Sequence, residues 1–61
     1  MKHPDPATPR ERAQALGVGI IYRKLTDAAS IWLADFDTIV VHDGLTPDDE
    51  EAAIAAALEY A

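Results

Sequence analysis

His42-Asp43 is the one place in the chain where an imidazole and a carboxylate adjoin, and the pair invites a general-base reading. A general base needs an orienting partner and a cleft. Neighbours along a strand point to opposite faces, so these two side chains are poorly placed to cooperate. His3 sits between Lys2 and Pro4 in the N-terminal stretch and carries less still. The run Asp48-Asp49-Glu50-Glu51 gathers four consecutive carboxylates, which raises calcium or magnesium binding. A calcium loop alternates its ligands around a turn glycine, whereas consecutive acids on a helix point around it. A solvated first helical turn, open to a basic partner, is the better account. Gly17-Val18-Gly19 has the glycines of a dinucleotide turn in the wrong setting. It follows a helix and leads into a strand, the reverse of what phosphate binding at a helix N-terminus requires.

The residues best suited to recognition are apolar and aromatic: Ile31, Trp32, Leu33 and Phe36. The elements that must position them follow from local signals. Residues 1 to 7 hold two prolines and no apolar period and are expected to form a flexible arm; residues 8 to 61 form one small domain. Thr8-Pro9-Arg10-Glu11 predicts a helix start, with the Thr8 hydroxyl and Glu11 carboxylate capping reciprocally and Pro9 needing no donor. Gly17 supplies the left-handed residue that ends this helix. Val18 to Leu25 reads as a strand whose better core face carries Val18, Ile20 and Tyr22, with Ile21 and Arg23 opposite. Ala28 to Phe36 reads as a second strand with Trp32 and Phe36 on one side and Ile31 and Leu33 on the other. Trp32 is the first choice for the core. Asp35 to Thr38 closes a hairpin into a third strand, Thr38 to His42.

Asp43-Gly44 then breaks the sheet. Thr46 caps a second helix with Pro47 as its first residue and acids in its first turn, where the macrodipole favours them. The alanine-rich run that follows has high helical propensity and an Ile54, Leu58, Ala61 stripe. No basic residue or glycine caps its end, which should fray. The predicted architecture is α+β, in the order αβββα, with the three strands as an antiparallel meander.

From about Arg10 to Ala61 the chain resembles the N-terminal half of the ImmA/IrrE family of zinc metallopeptidases, whose members often accompany phage or mobile-element repressors. Ala15-Leu16-Gly17-Val18 and Ile21-Tyr22-Arg23-Lys24-Leu25 are similar to the family's first helix and strand. Thr38-Ile39-Val40-Val41 and Gly44-Leu45-Thr46-Pro47 are similar to its last strand and the start of its active-site helix. The family's chemistry rests on an HExxH motif, two histidines one helical turn apart holding zinc and a glutamate activating water. The resemblance puts Ala56 at the first histidine, Ala57 at the glutamate and Tyr60 at the second histidine. Methyl groups bind no metal and a lone phenol is a poor zinc ligand. What the resemblance implies is a pseudo-metallopeptidase scaffold without its catalyst, needing no cofactor.

Length and charge narrow the partners. The chain has 61 residues and a formal charge of -6. All five basic residues precede position 25, leaving residues 1 to 24 at +3, while residues 25 to 61 hold nine acids and no Lys or Arg. Direct binding of nucleic acid or anionic lipid needs clustered bases and is not expected. With no cysteine there is neither a disulfide nor a thiolate metal site. No run approaches a membrane span and the N-terminus lacks the apolar stretch of a signal peptide, so the expected address is cytoplasmic.

A chain of this size buries only about 60% of its unfolded surface. Two short helices cover one sheet face well, yet both sides of the second strand carry large residues, so apolar area should stay exposed. The expectation is a non-catalytic protein-binding module, paired as a homodimer or held by another protein through Ile31, Trp32, Leu33, Phe36 and the acids Asp48, Asp49, Glu50 and Glu51. A phage or mobile-element product engaging a host protein fits the resemblance and the Ala, Asp and Pro-heavy composition. Two alternatives stand beside it: an acidic nucleic-acid mimic that inhibits a DNA-binding protein, and a metallopeptidase fragment.

Overall fold

The computed structural model describes residues 8 to 61; the expected arm at residues 1 to 7 lies outside the described residues. Helix α1 spans Pro9–Ala15, strand β1 Gly19–Arg23, strand β2 Ser30–Leu33, strand β3 Thr38–His42 and helix α2 Pro47–Leu58. A 3-10 turn at Ala34–Phe36 separates β2 from β3. The fold is α+β. Both helices start where the cap chemistry places them. Thr8 accepts from the Glu11 amide while Glu11 reaches back to Thr8, and Thr46 accepts from the Asp49 amide at 3.2 Å. Gly17 leaves α1 with φ 77°, a left-handed conformation that an L side chain resists.

The sheet corrects the meander. Its order is β1-β3-β2, with β1 parallel to β3 and β2 antiparallel to β3. The physical reason is burial. Ile39 and Val41 are fully buried on one side of β3, and Val40 on the other is only 7% exposed. A strand apolar on both faces belongs in the centre, where neighbours cover it on both edges. Residues 24 to 29 make this possible by passing over the end of β3. They need to cross two strand spacings, about 10 Å, and six residues reach about 20 Å. Hydrogen bonds seal the crossing: the His42 amide donates to the Ala29 carbonyl at 2.8 Å and the Asp43 amide to the Arg23 carbonyl at 2.9 Å.

The second strand is also shorter than expected. Residues 34 to 36 coil instead of extending, and Asp37 follows in the left-handed region at φ 48°. Phe36 therefore leaves the sheet and does not share a strand face with Trp32.

The core forms between the helices and one sheet face. Ala13 of α1, Ile39 and Val41 of β3, and Ala53, Ile54, Ala57 and Leu58 of α2 are buried together, with Val18, Ile20, Trp32 and Leu45 packed around them. The expected core side of β1 is thus the observed one. On α2 the buried stripe runs through Ala53 and Ala57 beside Ile54 and Leu58; the helix ends at Leu58, and Ala61 is exposed. Among the described residues no helix is long and apolar enough to cross a membrane.

Candidate functional site

Strand alternation puts Ile21, Val40 and Ile31 on the sheet face away from the helices. The register aligns them in one row: Ile21 is opposite Val40 across the parallel pair, and Ile31 is opposite Val40 across the antiparallel pair. Ile21 is 38% and Ile31 42% exposed, and neither they nor Val40 belong to the buried cluster. Thr38 and Leu33 form the row on one side, and Arg23 and His42 the row on the other. The open face is therefore an apolar band that continues into Leu33 beside Thr38 on one side and ends at Arg23 and His42 on the other. Gly19 completes it as a flat corner, because a Cβ there would stand 3.3 Å from Thr38 Oγ1.

The expected partner-binding residues divide among three places. Ile31 and Leu33 lie on the open face. Trp32, on the same strand, turns the other way and packs against the core, as its neighbour Ser30 does by donating from Oγ to the Ala53 carbonyl at 2.9 Å. Phe36 stands at the 3-10 turn, 73% exposed. Asp48 and Asp49 are exposed on the first turn of α2. Glu50 and Glu51 are not simply solvated, which corrects the reading of all four acids as one open turn.

Glu50 accepts hydrogen bonds from the Arg10 guanidinium and from the Tyr22 hydroxyl, while Arg10 also donates to the Tyr22 oxygen. Three elements, α1, β1 and α2, meet in this cluster. Arg10 Nε is 4.0 Å from Glu51, and the Arg10 guanidinium carbon lies 5.9 Å from the Tyr22 ring centre. Loss of hydration, followed by the bond to Glu50, holds the Tyr22 phenol above its ordinary pKa. The bond to Tyr22 and the nearby charge of Glu50 raise Arg10 above its own. The cluster is a neutral phenol and a fixed ion pair, suited to clamping helices to sheet. Sequence reading missed Arg10 and Tyr22 here because the partners lie 12, 28 and 40 residues apart. Ile21 and Val40 were legible as strand residues, but their shared row depends on the strand order.

His42 serves the crossing loop. Its Nδ1 accepts from the Leu25 amide at 3.0 Å, so the neutral ring carries its hydrogen on Nε2. No three His, Cys, Asp or Glu side chains gather around a common point among the described residues. The zinc that the family resemblance implies does not fit either. Ala57 is buried, Ala56 is exposed, and Tyr60 lies beyond the last residue of α2, so the three positions offer no set of donors on one helical face.

At the opposite end of the sheet from the clamp, Leu16, Val18, Trp32, Asp37, Leu58 and Ala61 line an open hollow of about 220 Å3. A neighbouring hollow of about 200 Å3 runs along Trp32 to Phe36 and shares Trp32 with the first. No protein-family model, no curated protein and no solved structure matches this chain.

Proposed function

We propose that this chain is a non-catalytic protein-docking domain whose open sheet face, centred on Ile21, Val40 and Ile31, seats on another protein in the cytoplasm. The observation that carries the reading is that both helices pack on one side of a three-stranded sheet, leaving an apolar row on the other. Ile21 and Ile31, 38% and 42% exposed on either side of buried Val40, put apolar area on this face, and a patch of such area on a small domain marks an interaction site. The nine acids of residues 25 to 61 favour a partner with a basic rim and speed its approach without supplying most of the affinity. Descent from an ImmA/IrrE scaffold that has lost its metal ligands, and a role in which a phage or mobile-element product engages a host protein, belong to the same proposal. The descent is supported by the helix, three-strand, helix order alone; Ala56, Ala57 and Tyr60 bear on the loss of metal ligands and not on the ancestry.

The test is differential capture at low salt, followed by binding measurements with each purified candidate. Wild type is compared with Ile21→Asp, Ile31→Asp and, as a control on the exposed side of α1, Gln14→Ala, each shown to be folded by circular dichroism. A partner that Gln14→Ala binds and both face variants lose supports the proposal. Partners bound equally by all four proteins, or none at all, refute it.

A further inference from the structure

The exposed large apolar side chains are not spread evenly. Among the described residues Leu16 at 65%, Phe36 at 73% and Tyr60 at 77% are the three most exposed, and all sit around the Trp32 end of the molecule. Leu16 lines the larger hollow there, Phe36 lines the smaller one, and Tyr60 stands between lining residues Leu58 and Ala61. Trp32 forms a wall of both. The larger hollow, about 220 Å3 and open to solvent on one side, has room for one large apolar side chain laid against its walls. The walls offered by Leu16, Val18, Trp32 and Leu58 supply the apolar contact.

The charges at the rim say what must accompany that side chain. Asp37 lines the larger hollow and Asp35 the smaller, on either side of exposed Phe36. Glu59 follows Leu58. Against these acids this end presents Arg12, one helical turn before Leu16 in α1. A ligand with acids next to its anchor would be repelled, and one with bases would be held by Asp37 at the larger hollow and by Asp35 at the smaller one beside it.

We propose that the Trp32 hollow binds a basic segment of a partner protein, inserting one large apolar side chain while Lys or Arg beside it pairs with Asp35 and Asp37. This deepens the docking reading by naming a second contact and its partner chemistry, and it rests on that reading only in taking the partner to be a protein. The smaller hollow touches the open face at Leu33, but the larger one is lined by none of Ile21, Val40 and Ile31, so binding there can be tested without the open face.

Trp32 is the only tryptophan in the chain and forms a wall of the hollow, so its fluorescence reports occupancy directly. The probe is a synthetic acetylated peptide of alternating arginine and glycine with one central leucine. Two companions replace that leucine with alanine or the arginines with glutamate. The leucine peptide should shift Trp32 emission saturably. The alanine and glutamate peptides should bind at least about tenfold more weakly, since each loses the burial of a large side chain or the charge pairing. Asp37→Asn should flatten the salt dependence of binding without unfolding the turn, because asparagine tolerates the left-handed conformation at this position. Ile21→Asp should bind the leucine peptide unchanged, so that failure here and failure of the open-face reading remain distinguishable.

An unsaturable response, or equal binding of all three peptides, overturns the proposal. So does peptide-free emission that changes on hundredfold dilution of the protein, which would put a second copy of the chain in the hollow.

Discussion

Tyr22 of β1 donates its phenolic hydrogen to the carboxylate of Glu50 on α2, and Arg10 of α1 donates to both. A small core of alanines and branched aliphatics is thereby fastened by a polar cluster at the end of the sheet opposite the Trp32 hollow. The clamp ties both helices to β1, and because the helices pack with the buried cluster on one face, Ile21 and Ile31 on the other stay open.

Removing the phenol tests the clamp. Tyr22→Phe keeps the ring over Arg10 and removes the bond to Glu50, and should cost about 0.5 to 1.5 kcal/mol by urea unfolding. Glu50→Gln should cost a similar amount, because it removes the charge that Arg10 faces.

The same phenol makes stability depend on pH. Its folded pKa is raised, so the folded state holds this proton more tightly than the unfolded chain does. The contribution is present in full below the unfolded phenol's value, near 10, and is lost as pH rises through the folded value. In a Tyr60→Phe background, where Tyr22 is the only tyrosine, tyrosinate absorbance should appear at a pH above that of the urea-unfolded protein. Unfolding midpoints should fall across the same interval. Coincident folded and unfolded titrations would contradict the clamp.

The two faces of the sheet should answer differently to truncation. Ile54 is fully buried, and Ile54→Ala should cost about 2 to 5 kcal/mol. A chain of this length is expected to have about 3 to 9 kcal/mol in total, so this variant loses a large share of its stability and unfolds only if wild type lies at the lower end of that range. Ile31→Thr, on the open face, should stay within about 1 kcal/mol of wild type in urea melts, because its side chain is already partly in water.

His42 acts through the crossing loop. His42→Phe removes the acceptor of the Leu25 amide and should destabilise by about 1 kcal/mol. Hydrogen exchange gives the sharper measurement: the Leu25 amide should exchange faster than in wild type by a larger factor than the amide of Ile39 at the sheet centre.

Gly17 separates backbone strain from packing. Nothing lies within 4 Å of the position its Cβ would take, and φ is 77°. Gly17→Ala should therefore cost about 1 to 2 kcal/mol through conformation alone. Chemical synthesis with D-alanine at the same position, which prefers positive φ, should remove that cost and raise the melting temperature above wild type.

Much of the fold was legible locally. Thr8-Pro9 and Thr46-Pro47 mark helix starts because a cap satisfies orphan amides within three residues, and Gly17 marks an end because only its own φ is at stake. Alternation along Val18 to Tyr22 identified the core side of β1, since a side chain's face depends on parity within its strand. Trp32 was legible as core from its residue type and not from parity, because both sides of its strand carry large apolar residues. The coil at Ala34–Phe36 was less so. Asp35-Phe36-Asp37 carries turn residues, yet the apolar period continued through Phe36 and extended the expected strand too far.

By itself, the sequence determined where the helices begin, which side of β1 is buried, the absence of a disulfide, and the division of charge between residues 1 to 24 and 25 to 61. All of these follow from residue types and from spacings shorter than one element. Only the tertiary structure decided that β3 lies between β1 and β2, that Ile21, Val40 and Ile31 form one row, and that Arg10, Tyr22 and Glu50 meet. Strand order is a competition for the most buried position. In this fold it is won by Ile39-Val40-Val41, none more than 7% exposed, and a competition between strands for burial involves the whole chain at once.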